Sequence, residues 1–164
     1  MKPAVSAAVK LRPATFEDAK RLFVWRNLPE IVAQGKSRST VGWEEHQRWL
    51  AEVLTSENHL LCIALLEGDP VGQIRFDRVE ELWADASIYL HPDYTGRGLG
   101  PEVLSLGCLR ATEVWPEVSI RAVIRARNRR SISTFIKAGF VAVEIGDASA
   151  AEYVELQLKR EKPE

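Results

Sequence analysis

Glycines at positions 96, 98 and 100 are the first residues in this chain whose spacing suggests chemistry. They leave successive backbone N–H groups uncovered, and the amphipathic helix expected directly afterwards adds its positive end. That combination binds phosphate, although the same spacing also serves plain tight turns. The loop follows a strand ending in Tyr89-Leu90-His91-Pro92, so the order is strand, loop, helix, as a pyrophosphate cradle requires. A dinucleotide-binding reading fits poorly, because the preceding strand closes a meander and no acidic residue ends the next strand. A P-loop reading fails for want of Gly-Lys-Ser/Thr.

Two other features carry charge into apolar surroundings. Asp85, within Ala84-Asp85-Ala86-Ser87-Ile88-Tyr89-Leu90, would have a raised pKa if its strand is buried, and would then suit proton abstraction; the alternative is a solvated outer sheet face. Arginines at 121, 125, 127, 129 and 130 read either as a nucleic-acid contact or as a solvated strand edge. No aromatic interleaving supports a base-stacking surface. Cys62 and Cys108 lie singly in apolar runs and read as small core residues, and no metal-ligand spacing is present.

These residues need elements to position them. Residues 9–14 read as a strand, Thr15 and Asp18 resemble a helix cap, and Ala19, Leu22 and Phe23 share a helical face that Pro29 closes. Residues 32–40 read as a loop. A second helix begins near Gly42, with Glu44 and Glu45 in its first turn and Trp49, Leu50, Val53 and Leu54 as its buried stripe. Residues 60–66, 71–79 and 82–90 then read as an antiparallel meander, its first turn at Glu67-Gly68-Asp69-Pro70. After the glycine loop, Val103, Leu104, Leu106, Leu109, Ala111 and Val114 mark a helix that stops before Pro116. Residues 119–126 alternate as a strand, and Ile132, Phe135 and Ile136 lie on the inner face of a helix that Gly139 ends. Strands at 140–145 and 153–158 close the chain. The expectation is one α/β domain of the α+β type over residues 1–164, with a flexible start at 1–8 and a mixed, mainly antiparallel sheet of about seven strands beside about four helices.

Composition narrows the function classes. Of 164 residues, 46% are apolar and 27% charged, enough for one globular core. Lys and Arg number 22 against 23 Asp and Glu, a net charge of −1, so no nucleic acid or membrane partner is expected and any anion site is local. Residues 1–9 lack the apolar run of a signal peptide, and no segment approaches the roughly 18 apolar residues of a span, so a cytoplasmic protein is expected.

Thr95-Gly96-Arg97-Gly98-Leu99-Gly100 resembles the coenzyme A loop of the GNAT superfamily of N-acetyltransferases, Gln/Arg-x-x-Gly-x-Gly/Ala, with Thr95 departing at the first position. Asn128, Ser131, Phe135, Lys137, Gly139 and Phe140 resemble the family's Asn-x-x-Ala-x-x-x-Tyr-x-Lys-x-Gly-Phe segment. The resemblance implies acetyl-coenzyme A as co-substrate, bound by residues 95–100, Asn128, Ser131 and Phe135. It also implies a backbone N–H near Leu90 for the oxyanion, and no metal. Asp85 takes the place where many members carry a glutamate, which implies a general base. Phe135 stands where a tyrosine often protonates the thiolate, leaving Tyr94, Tyr89 or Ser87 as helpers; Tyr94 is the preferred candidate.

The acceptor site of this superfamily is built from the first two helices and the loop between them. Trp25-Arg26-Asn27, Arg38, His46, Trp49 and Gln73-Ile74-Arg75-Phe76-Asp77 resemble the branch acetylating nucleotide-linked amino sugars, the pseudaminic acid pathway type. There Arg26 and Arg38 would hold phosphate, Trp49 or Trp25 would stack on a ring, and Arg75 would join them. The implied reaction moves acetyl to the primary amine of a small molecule in a ternary complex. The alternatives are acetylation of a protein amino terminus or an antibiotic amine, and a non-catalytic acyl-coenzyme A sensor. Many members dimerise, so a homodimer is an expectation of the resemblance alone.

Overall fold

The computed structural model describes residues 8–35, 37–143 and 152–160; residues 1–7 of the expected flexible start and 144–145 of the expected strand lie outside them. Its elements are β1 (Val9–Pro13), α1 (Ala19–Arg26), α2 (Pro29–Gln34), α3 (Trp43–Thr55), β2 (His59–Leu66), β3 (Asp69–Glu80), β4 (Trp83–Leu90), α4 (Leu99–Val114), β5 (Ser119–Arg125), α5 (Arg129–Lys137), β6 (Phe140–Ala142) and β7 (Tyr153–Leu158). The seven strands form one sheet in the order β1-β2-β3-β4-β5-β7-β6, antiparallel throughout except where β4 meets β5.

Helices cover both faces of this sheet. Val103, Leu104, Gly107, Cys108 and Ala111 form the buried stripe of α4, which packs on Ile74 and Phe76 of β3. On the other face, Leu22 and Trp25 of α1 and Leu50 and Val53 of α3 close over Leu61 and Ile63 of β2. Both cysteines are buried, as expected, and burial pushes the Cys108 thiol up to about 12.

Two local expectations are corrected, and the Thr15–Asp18 cap is borne out and extended. Pro29 opens a helix instead of closing one: Leu28 is extended at φ −62°, ψ 136°, and proline at the first helical position sacrifices no intrahelical hydrogen bond. The described residues therefore hold five α-helices where about four were expected, and residues 32–34 are helical. Ile136 is 51% exposed, because α5 buries little beyond Phe135. Asp18 does more than cap: its carboxylate is buried, accepts from Thr15 N–H at 2.9 Å and takes both Arg12 guanidinium nitrogens at 2.7 and 2.8 Å. Burial alone would raise its pKa, but hydrogen bonds from Arg12 and Thr15 hold it below the ordinary carboxylate range.

The hairpin turn between β2 and β3 uses Glu67 and Gly68, both at positive φ, which matches the twist of the flanking strands. Register between β3 and β4 depends on a close approach at Gly72, where a Cβ would meet the Tyr89 carbonyl oxygen at 2.4 Å. That neighbour is backbone, so a side chain is accommodated only by parting the strands. Gly72→Ala is expected to cost about 1–3 kcal/mol in denaturant-midpoint measurements.

Candidate active site

Alternation along β4 decides what its two faces carry. Ala84, Ala86 and Ile88 belong to the core under α4, so Asp85, Ser87 and Tyr89 turn to the opposite face. On β3, Ile74 and Phe76 join that core, while Gln73, Arg75 and Asp77 stand in register with Tyr89, Ser87 and Asp85. A polar strip thus runs across two adjacent strands.

Strand pairing then opens a space in front of it. β4 and β5 pair only over residues 83–85 and 119–121; beyond Asp85 and Arg121 no ladder joins them. A cleft of about 1490 Å³ occupies this fork, lined by residues 85–90 of β4 and by Val123, Ile124 and Arg125 of β5.

One end of the cleft carries the glycine loop. Thr95, Gly96, Gly98, Leu99 and Gly100 line it, with Gly98 as the left-handed residue (φ 74°) that starts α4. Gly96 also has positive φ, and at both positions the space a Cβ would enter is open. Asn128 caps α5, its Oδ1 accepting from Ser131 N–H at 3.2 Å. Arg127, Arg129, Arg130 and Lys137 line the same end.

The other end lies under α1, α2 and α3, where Arg26, Glu30, Glu45, His46 and Trp49 meet Arg75, Asp77 and Asp85. Arg75 Nε donates to Asp77 at 2.9 Å, and its guanidinium lies 5.4 Å from the Trp49 ring centroid. His59 Nδ1 is 2.7 Å from the other Asp77 oxygen. Arg121 Nε donates to Asp85 Oδ1 at 2.8 Å, so this carboxylate is ion-paired, neither in the apolar setting nor on the plain solvated face that the sequence left open. Arg26 contacts only neutral oxygens among the described residues, Ser37 Oγ at 3.1 Å and the Ser39 carbonyl at 3.2 Å.

His46 is buried, and its Nε2–H donates to the Ala19 carbonyl at 2.8 Å. Burial lowers its pKa, the Ala19 bond opposes that, and the Arg26 charge adds to the lowering. Burial also holds the Tyr89 phenol well above its ordinary range, so it stays protonated.

Of the residues expected at the acceptor, Arg26, His46, Trp49 and Arg75 line the cleft, whereas Trp25, Asn27 and Arg38 lie outside its lining. Trp25 is core, edge-on to Tyr89 at 6.2 Å. The Asn27 amide donates to the Val41 carbonyl and accepts from its N–H, pinning the chain before α3. Arg38 is exposed in the loop. Of the residues expected at the cofactor, Leu90, Thr95, Gly96, Gly98, Leu99, Gly100, Asn128, Ser131 and Phe135 line the cleft. Arg97 lies outside it, over the Tyr94 ring at 5.2 Å, and so does Tyr94, whereas Ser87 and Tyr89 are inside. Glu30 was not singled out in the sequence; Glu45 was read there only as a first-turn helix residue, and Asp77 only as part of the segment from Gln73 to Asp77.

The model of the acetyltransferase (GNAT) domain matches residues 8–141. The chain belongs to that family. No curated protein matches it significantly in sequence. Among solved structures, this acetyltransferase is similar to AAC(6')-Ib in complex with ribostamycin and coenzyme A, at 25% identity and TM-score 0.77 over 93% of this chain and 94% of that one. Two more distant structures share its fold. Spermidine N-acetyltransferase from Vibrio cholerae, with CoA and spermine, has 12% identity and TM-score 0.74 over 91% and 92%. The N-acetyltransferase PseH of Campylobacter jejuni has 15% identity and TM-score 0.69 over 93% and 99%.

The lowered pKa of His46 gives a pH signature. The unfolded chain takes up this proton near pH 6.5 and the folded chain only below that, so folding stability falls as pH drops through and below 6.5. Melting curves between pH 7.5 and 5.5 should show this loss, and His46→Gln should flatten it.

Proposed function

We propose that this acetyltransferase moves the acetyl group of acetyl-coenzyme A to the primary amine of a small molecule by direct attack in a ternary complex. The observation that carries the reading is the single cleft, which joins a glycine-built anion cradle to a carboxylate-lined end across the β4–β5 fork. The open space at Gly96 and Gly98 fits a pyrophosphate, and Arg127, Arg129, Arg130 and Lys137 supply neighbouring positive charge. Bound there, acetyl-coenzyme A supplies a thioester with a good leaving group.

At the opposite end, Asp85 receives the acceptor's proton. Arg121 engages its Oδ1, and no described residue donates to Oδ2, which is left for the amine. The tyrosine common in the superfamily has no counterpart: the Phe135 ring is 1% exposed and edge-on to Phe140 at 4.9 Å. Tyr89 remains a protonated hydroxyl on the cleft wall.

Of the four carboxylates lining the acceptor end, Asp77 is paired with Arg75 and Asp85 with Arg121, which leaves Glu30 and Glu45 without an ion-pair partner among the described residues. This balance favours a cationic polyamine or aminoglycoside-like acceptor, in keeping with the ribostamycin complex of AAC(6')-Ib. The second reading, a nucleotide-linked amino sugar, is favoured by Arg26, whose guanidinium has no carboxylate partner among the described residues and is available to a phosphate. Free-thiol release with kanamycin, spermine and a UDP-linked amino sugar separates the two.

At a hundredfold excess over Kd, acetyl-coenzyme A is expected to raise the melting temperature by about 5–10 °C, and Gly98→Glu to abolish that rise. No shift in the wild type would remove the cofactor assignment. Asp85→Asn is expected to keep the shift while turnover falls about 100-fold; unchanged turnover would take Asp85 out of the chemistry. A shift with no turnover of any amine would make the protein an acyl-coenzyme A sensor.

A further inference from the structure

Among the described residues, one buried side-chain polar atom lacks a hydrogen-bond partner: Ser87 Oγ. It belongs to the cleft wall, on the face that carries Asp85 and Tyr89 and directly opposite Arg75 across the β3–β4 ladder. The charged neighbours are already engaged. Arg75 is turned to Asp77 and Trp49, Asp77 also meets His59, and Asp85 is held by Arg121. Folded proteins leave very few buried hydroxyls unpaired, because such a group loses its bonds to water and gains nothing in return.

We infer that Ser87 positions the acceptor: its hydroxyl turns about χ1 into the cleft and accepts a hydrogen bond from the attacking amine. The nitrogen is thereby held beside Asp85, with its lone pair directed along β4 towards the cofactor end. A serine side chain has three staggered positions, so the movement needs no backbone change. The cost of the unpaired hydroxyl in the free protein is recovered when the acceptor binds, which couples occupancy of the site to its geometry. This inference rests on the acetyl-transfer reading above.

Ser87→Ala separates this role from a structural one, because the two predict opposite effects on stability. Without ligand the variant should melt about 2–4 °C above wild type, since it removes an unpaired buried group. Its melting-temperature rise with acetyl-coenzyme A should equal that of wild type. Its kcat/KM for whichever of spermine or kanamycin the wild type acetylates should fall about tenfold or more, the loss of one hydrogen bond to the reacting nitrogen. Ser87→Thr keeps a hydroxyl on a strand that tolerates β-branching and should restore most of that rate. Equal kcat/KM in Ser87→Ala and wild type overturns the inference, as does a ligand-free variant that melts below wild type, which would mean the hydroxyl is already satisfied. Loss of the acetyl-coenzyme A shift overturns it too, by assigning the hydroxyl to the cofactor. A wild type that releases no thiol with any amine ends the acetyl-transfer reading and this inference together.

Discussion

The ion pair between Arg121 and Asp85 stands at the point where the sheet divides, and the rest of the cleft depends on it. These two residues are the last partners in the parallel β4–β5 ladder, and their side chains meet at 2.8 Å on the cleft face. Arg121 also reaches Glu80 at the end of β3, Glu155 on β7 and the ring of Trp83. A guanidinium in this half-buried position would be costly alone; carboxylates from three strands compensate it and hold the closed part of the sheet together. Beyond it the two strands are free to diverge, and the opening between them is the cleft.

Divergence creates a second problem, because strand edges inside a protein expose backbone groups that need partners. A cleft that admits a polar ligand meets that need where packing would not. The polar strip of Gln73, Arg75, Asp77, Asp85, Ser87 and Tyr89 follows from the same geometry: α1 and α3 cover the sheet over β2, while the β3–β4 portion of that face looks into the cleft. Charges there are tied to one another. Arg75 pairs with Asp77 and Arg121 with Asp85, so little free charge remains to misdirect a ligand.

The two ends of the cleft differ in how they are built. At the glycine loop the lining groups are backbone groups and a helix terminus, a combination suited to phosphate. At the opposite end they are side chains from α1, α2, α3 and β3, brought together from segments far apart in sequence. The glycine-loop end is therefore built locally, and the opposite end is a property of the assembled domain.

That difference also explains how much was legible beforehand. Strand and helix periods, the glycine loop, the buried cysteines and the overall architecture were readable in the sequence, because each depends on neighbours a few residues away. Pro29 was misread because proline both ends and begins helices, and only the extended Leu28 before it decides which. Arg97 and Tyr94 lie inside or beside the loop signature, yet they stack on each other outside the cleft. Trp25 and His46 look alike in sequence as aromatic residues of amphipathic helices, but one fills the core and the other donates to a backbone carbonyl at the cleft wall. By itself the sequence determined the fold, which follows from short-range spacing, and the family, which follows from the resemblance of its motifs to known ones. The tertiary structure alone decided the environment of Asp85, the carboxylate balance of the acceptor end and the unpaired hydroxyl of Ser87, because each arises where strands register across the sheet and part at the fork.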